Sequence, residues 1–162
     1  MLISPWQLLL GALGLLLLIR YTTRWAERRQ SERIRRWAVG HRLRFSRIDR
    51  FDLARRAIVS LPGWNEAEIT DVQVHDLVYW SDADAYRYLF TLTFRRSTPG
   101  GPKPDCRIGG AVESLSAEKA MLAEVHFLPA RCRVDQYQQL FGRVSRRAEE
   151  HSEAAADPPV EG

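Results

Sequence analysis

Residues 69–94 read ITDVQVHDLVYWSDADAYRYLFTLTF, and their alternation decides the fold. From Tyr86 to Phe94 every second residue is large and apolar or aromatic, and the residues between them are mostly polar. Side chains of a strand alternate between the two faces of a sheet, so this pattern predicts a strand with one buried face and one largely wet face. The β-rich run from Ile69 to Trp80 and the turn at 81–85 complete an antiparallel hairpin.

Two shorter elements are predicted before this hairpin. Residues 43–48 alternate apolar and polar side chains and predict a short strand. Residues 49–59 carry apolar side chains at helical spacing and predict a short helix, with Asp49 or Asp52 able to cap its start. Together with the basic helix predicted over 20–40, these elements give the order helix, strand, short helix before the hairpin.

The chain after the hairpin predicts the rest of the sheet and one helix. Thr98 to Pro104 is rich in proline and glycine and predicts a loop. Two more strands are predicted over 106–115 and 121–128, with a helical turn over 117–122 as the alternative. An amphipathic helix is predicted over 134–147. The predicted fold class is α+β: one N-terminal transmembrane helix followed by an antiparallel sheet flanked by helices.

The amino-terminal end is apolar. Leu2 to Ile19 contains no charged residue, and about 18 residues at ~1.5 Å each cover most of a ~30 Å hydrocarbon layer. A cleaved signal sequence would need a basic start and a small-x-small cleavage site, and Met1 to Trp6 and Arg20 to Arg24 supply neither. The segment therefore predicts a retained transmembrane anchor.

Arginines follow this anchor and set its predicted orientation. The segment 20–50 is dense in arginine, has few acidic residues, and has no basic counterpart before the anchor. The positive-inside rule then places the amino terminus outside and the C-terminal domain in the cytoplasm, in a single-pass protein of the cell inner membrane. The side chains expected to contact anionic lipid headgroups are Arg20, Arg24, Trp25, Arg28 and Arg29.

Composition completes the domain plan. The predicted parts are an anchor at 1–19, a basic juxtamembrane helix at 20–40 with Gly40 as its C′ residue, the α+β domain at 41–147, and a disordered acidic tail at 148–162. The net charge is +4, and its excess lies next to the anchor. Nucleic acid is not expected as a partner, because the aromatic residues alternate along strands and are not interleaved with the arginines.

Candidate catalytic and metal-binding residues are few. His75 and Asp76 are neighbours on a strand, and their side chains are expected to point to opposite faces. Glu124 and His126 share one strand face, but a third metal ligand is missing nearby. Asp82 with Asp84 suits a turn better than a calcium loop. We expect no metal site, no cofactor and no catalytic residue.

The glycine pairs and the cysteines also favour structural roles. Gly100-Gly101 predicts a loop, and Gly109-Gly110 predicts a bulge or close packing within a strand, since neither pair has the context of a phosphate-binding loop. Cys106 and Cys132 lack metal-ligand spacing and are expected to be reduced thiols in a cytoplasmic domain. If the orientation were reversed, the two thiols could form a disulfide.

Several positions around the juxtamembrane helix carry a family resemblance. They are Trp37-Ala38, Gly40, Leu43, Phe45, Phe51-Asp52-Leu53, Arg56 and Leu61-Pro62. This pattern resembles uncharacterised bacterial membrane-anchored proteins, in which a short membrane segment and a basic helix lead into a small cytoplasmic α+β domain of unknown function. The chain departs from them at Trp64-Asn65, where it has no glycine-rich return. The resemblance implies no activity.

Three functions are consistent with these patterns. The first is a binding or scaffolding module that holds a protein partner near the membrane through an exposed sheet face and a basic collar. The second is a lipid-binding or small-ligand-binding domain in which Tyr86, Tyr88 and Phe90 line a pocket instead of the core. The third is an enzyme whose cleft would gather His75, Glu124 and His126.

Overall fold

The computed structural model describes residues 5–62, 68–82, 85–114 and 122–154. Helix α1 spans Pro5–Gly40 without a break, so the predicted anchor and the juxtamembrane segment form one helix of 36 residues. The stretch Trp6–Gly40 includes a window that is long and apolar enough to cross a membrane, and none of that window is buried.

Helix α1 does not end as predicted, because Gly40 still lies in its last turn. Arg42 adopts the left-handed conformation with φ 59°. The amide of Leu43 donates to the carbonyl of Ala38 and that of Arg42 to Val39, which is the Schellman pattern with Arg42 at C′. The prediction of Gly40 as the C′ residue is therefore wrong.

Five strands form one antiparallel sheet. They are β1 Arg44–Ser46, β2 Ile69–Ser81, β3 Ala85–Arg96, β4 Lys103–Ser114 and β5 Leu122–Pro129. Their spatial order equals their sequence order, so each strand pairs with the next, and the predicted α+β class is confirmed. The predicted hairpin is β2–β3, with Ser81 opposite Tyr86 and Ile69 opposite Arg96.

One loop boundary was predicted wrongly. Lys103 and Pro104 belong to β4, where Pro104 lies opposite Arg95. β5 pairs with β4 only from Arg107 onward, so this end of β4 is an edge among the described residues. A proline is tolerated there because its missing N–H can face the open side.

Two helices complete the domain. Helix α2 spans Leu53–Ile58. The Asp49 carboxylate accepts a 2.8 Å hydrogen bond from the Ala54 amide at the start of α2, whereas the Asp52 side chain makes no capping bond. Helix α3 spans Arg133–Ala154 and thus includes the start of the segment predicted as a tail, while residues 155–162 lie outside the described part. The alternative helical turn at 117–122 lies there too, except for Leu122 in β5.

Both faces of the sheet are buried. One face packs under α2 with Leu77, Tyr88, Phe90 and Leu92. The other packs under α3 and the C-terminal part of α1. The buried residues of this second core are Val78, Leu89 and Ile108 from the sheet, Ile34 and Ala38 from α1, and Tyr137, Leu140 and Val144 from α3. The expectation of a wet face on β3 is therefore wrong, and so is the expectation of an exposed sheet face, because α1 and α3 together cover the side that carries Leu89 and Thr91.

Gly109 and Gly110 lie in β4, where close packing is confirmed. A Cβ atom on Gly109 would lie 2.5 Å from the Phe90 ring, which occupies this space on one face. A Cβ atom on Gly110 would lie 3.1 Å from Val144 of α3 on the other face. Adjacent strand residues face opposite sides, so the pair lets both layers approach the sheet at one point.

Candidate functional site

Asp76 is the most unusual residue of the sheet. It lies on β2 with φ 52°, within a register shift between His75 and Val78, which marks a β-bulge. Its side chain is only 7% exposed, although it carries a carboxylate. A buried charge in a sparsely populated backbone conformation persists only where surrounding contacts hold it.

Those contacts come from the two helices that cover this face. The Ser31 hydroxyl of α1 donates a 2.5 Å hydrogen bond to Asp76 Oδ1. Arg133, the first residue of α3, has Nη1 3.8 Å from Asp76 Oδ2. The Tyr137 hydroxyl of α3 donates to the Asp76 carbonyl at 2.7 Å and lies 3.1 Å from the Thr91 hydroxyl. Burial raises the pKa of Tyr137 well above its ordinary value, so this phenol remains a donor.

A cleft of about 390 Å³ opens beside this network. It lies between α1 and the sheet, and its charged and polar walls include Arg28, Ser31, Arg47, His75, Asp76 and Arg133. Glu27 and Thr93 also line it, and they take part with Arg133 in a neighbouring hollow of about 560 Å³. We call the smaller space the Asp76 cleft.

His75 and Asp76 both line the Asp76 cleft, contrary to the alternation expected of neighbouring strand residues. The reason is the bulge, because the left-handed backbone of Asp76 interrupts the pleat at this position. The sequence signal that could have found it is Asp76 itself, a carboxylate directly before the apolar run Leu77-Val78-Tyr79-Trp80. The residues from other elements, Ser31, Arg47 and Arg133, carried no local signal.

The walls of the Asp76 cleft carry more cationic than anionic side chains. Ser31 donates a hydrogen bond to one Asp76 oxygen, and the Arg133 guanidinium lies 3.8 Å from the other. Within the described ranges, no group of three or more His, Cys, Asp and Glu side chains could hold a metal ion. What the cleft offers to a ligand is therefore mainly arginine N–H groups, which recognise oxyanions.

No known protein guides the assignment further. No family model, no curated protein and no solved structure matches the chain. The resemblance to membrane-anchored bacterial proteins stays a prediction.

His126 and Glu124 do not join His75. Their side chains lie 3.6 Å apart on β5, and the strands β3 and β4 lie between them and β2. Neither residue lines the Asp76 cleft. The cleft that would gather all three residues for an enzyme is therefore absent from the described part of the chain.

The remaining polar candidates are engaged in structure. Asp82 accepts a 2.5 Å hydrogen bond from Arg87, while Asp84 lies outside the described residues, as does the Trp64-Asn65 departure. Both cysteines are free thiols. Burial raises the pKa of the half-buried Cys106 thiol, and a hydrogen bond with Asp135 raises the pKa of the exposed Cys132 thiol.

The aromatic ligand face divides between core and surface. Tyr88 and Phe90 are buried in the core, and only Tyr86 is exposed. The Tyr88 hydroxyl donates a 2.6 Å hydrogen bond to Glu113, whose carboxylate lies 2.8 Å from Arg56. Burial raises the pKa of Tyr88, and the hydrogen bond to Glu113 adds to this effect.

The residues expected at a membrane surface lie together on α1. Arg20, Arg24, Trp25, Arg28 and Arg29 are all exposed. The Arg29 guanidinium lies 4.4 Å from the centre of the Trp25 ring in a cation–π contact. Arg28 differs from its neighbours because it also lines the Asp76 cleft.

Proposed function

We propose that the chain is a single-pass protein of the cell inner membrane. Its amino terminus lies outside, and its α+β domain acts in the cytoplasm as a binding or scaffolding module for a protein partner. The side chains of α1 that contact anionic lipid headgroups are Arg20, Arg24, Trp25, Arg28 and Arg29. Ser31 onward then belongs to the domain, which lies directly at the membrane face.

The continuity of α1 is the observation that carries this proposal. The helix runs unbroken from its apolar exposed half to Ile34 and Ala38, which are fully buried in the domain core. A flexible linker would let the domain move freely, whereas a helix packed at one end fixes the domain relative to the apolar segment. A fixed position suits a module that presents one surface to a partner near a membrane.

The dimensions of α1 support the span. Trp6 and Trp25 are separated by about 28 Å along the axis at ~1.5 Å per residue, which matches a hydrocarbon layer of about 30 Å with tryptophan at both interfaces. The hydroxyls of Thr22 and Thr23 donate to backbone carbonyls of Leu18, Ile19 and Arg20, so they need no water. Arg20 and Arg24 can extend their guanidinium groups towards the headgroups.

The orientation is tested with reporter fusions to the carboxyl terminus. A reporter that fluoresces only in the cytoplasm is expected to be bright, and a phosphatase that folds only after export is expected to be inactive. The opposite pair of results would overturn the proposed orientation.

The scaffolding role is tested by crosslinking in membranes followed by capture of the tagged full-length chain. A partner is expected in constant proportion to the bait. A matched variant carries a short glycine-serine insertion between Ala26 and Glu27. This variant keeps the anchor and the domain but uncouples the orientation of one from the other. Recovery of the partner should fall in this variant, and recovery of the bait alone from wild-type membranes would contradict the proposal.

A further inference from the structure

We propose that the Asp76 cleft binds a phosphate group, with Arg28, Arg47 and Arg133 as its cationic ligands. The lipid form of this inference rests on the proposed membrane placement. The phosphate itself can come from a phospholipid headgroup or from a soluble phosphate compound.

The convergence of the three arginines is a product of the fold. Arg28 lies on α1, Arg47 directly follows β1, and Arg133 begins α3, yet all three line one cleft of about 390 Å³. Guanidinium groups present fixed N–H donors that match phosphate oxygens, and donors from three directions can surround one oxyanion. A solvated helix face would instead spread its arginines over the surface.

The carboxylates in the cleft do not remove its preference for a phosphate group. Asp76 Oδ1 accepts the hydrogen bond of Ser31, and Arg133 is a charge partner close to Oδ2. The 3.8 Å separation of Arg133 and Asp76 is longer than a hydrogen bond, so N–H groups of Arg133 remain available to a ligand. Glu27 is the second carboxylate, and it lines the cleft together with Arg28, Arg47 and Arg133, so three cationic side chains there stand against two anionic ones.

The outer two arginines are held weakly. Among the described residues, Arg28 makes no ion pair, and the one ion pair of Arg47 is with Glu32, at 3.9 Å. The Arg47 side chain is 68% exposed, so a ligand can reach it without displacing a packed group. His75 and Thr93 supply further polar atoms on the wall of the cleft.

The position of the cleft along the helix axis, relative to the membrane interface, fits a lipid headgroup. Arg28 lies three residues after Trp25, about 4.5 Å further along the helix axis. If Trp25 marks the interface, the mouth of the Asp76 cleft lies at the level of the phosphates.

The experiment uses the full-length chain in detergent micelles and measures bound lipid by native mass spectrometry. The probes are phosphatidylglycerol and, as a lipid without phosphate, diacylglycerol. A separate arm measures binding of inorganic phosphate and its competition with phosphatidylglycerol. Retention of phosphatidylglycerol that phosphate cannot displace assigns the lipid headgroup, and saturable binding of phosphate assigns a soluble source.

The decisive variant is Arg28→Gln/Arg47→Gln, and its matched control is Arg36→Gln/Arg44→Gln. Both remove two exposed arginines from α1 and the β1 region, but only the first pair lines the Asp76 cleft, and neither Arg36 nor Arg44 is among the proposed headgroup contacts. At about fivefold per arginine near a membrane surface, the cleft variant should bind roughly 30-fold more weakly, with the control within about twofold of wild type. Equal losses in both variants would overturn the inference, and so would equal retention of both lipids by wild type together with no saturable binding of inorganic phosphate. Reporter topology and partner capture would be unchanged by that failure, so it is separable from the proposed function.

Discussion

The Ser31 hydroxyl donates a 2.5 Å hydrogen bond to the buried Asp76 carboxylate, 45 residues further along the chain. This bond joins the helix that carries the apolar segment to the bulge of β2. Arg133 of α3 approaches the other oxygen of the same carboxylate. One side chain thus connects α1, the sheet and α3.

Replacing Ser31 with alanine should destabilise the domain, because it leaves an oxygen of Asp76 without its donor in a buried place. Hydrogen bonds to charged groups contribute about 1.5–3 kcal/mol, and roughly 4 °C of melting temperature corresponds to each kcal/mol in a domain of this size. Thermal unfolding followed by circular dichroism measures the change. Ser60→Ala, an exposed serine, is the control and should leave the melting temperature unaltered.

Gly109→Ala should destabilise through overpacking. The new Cβ would lie 2.5 Å from the Phe90 ring, which is fully buried and has little room to move. Overpacking of this kind costs about 1–3 kcal/mol. Phe90→Leu combined with Gly109→Ala should recover part of the loss in a double-mutant cycle, and Gly100→Ala, with no atom within 4 Å of the new Cβ, should be tolerated. An additive cycle would contradict the assigned contact.

Glu113 should make the domain sensitive to acid. Burial acts to raise the pKa of Glu113, but hydrogen bonds with Arg56 and Tyr88 and the Arg56 charge outweigh it, so the pKa lies below its ordinary value of 4.5. A lowered folded-state pKa gives stability that is present above the unfolded-state pKa and is lost as the pH falls through the folded-state pKa. Between about pH 5 and pH 3, the melting temperature of wild type should therefore fall more steeply than that of Glu113→Gln. Parallel curves would show that the Glu113 ion pair adds no acid sensitivity.

Arg42→Gly and Gly40→Ala should both stabilise the protein. Arg42 is a left-handed residue with φ 59°, where an L-residue costs about 1–2 kcal/mol, so glycine relieves strain and should gain about 0.5–1 kcal/mol net. Gly40 lies in the helix with no atom within 4 Å of an added Cβ, and alanine there should gain up to about 1 kcal/mol. If Gly40 were the left-handed residue instead, Gly40→Ala would lower the melting temperature.

Local patterns were sufficient to predict the order of elements and the β2–β3 hairpin. Alternation from Tyr86 to Phe94 marks a strand whatever covers it, and the carboxylate of Asp49 caps α2 as its position suggested. These features depend on neighbours in sequence. They could be predicted because the physics that decides them acts over a few residues.

The features that were missed depend on distant partners. Thr91 looked like a wet position, but the Tyr137 hydroxyl of α3 satisfies it within the core. The left-handed residue at the end of α1 is Arg42 and not Gly40; the Leu43 amide there bonds to the Ala38 carbonyl, and both residues belong to the core that α1, the sheet and α3 form. The Asp76 cleft needs arginines from three elements, and no window of sequence contains all of them.

Because α1 is unbroken, the number of residues in its apolar half also fixes the rotation of the domain about the helix axis. Each helical residue turns the chain by about 100° and advances it by ~1.5 Å. One residue added between Trp6 and Ile34 would therefore rotate the whole sheet about the helix axis by more than a quarter turn relative to the apolar end. Seven added residues would nearly restore the original orientation. The length of that segment thus sets the direction in which each face of the domain points, as well as the distance of the domain from the apolar end.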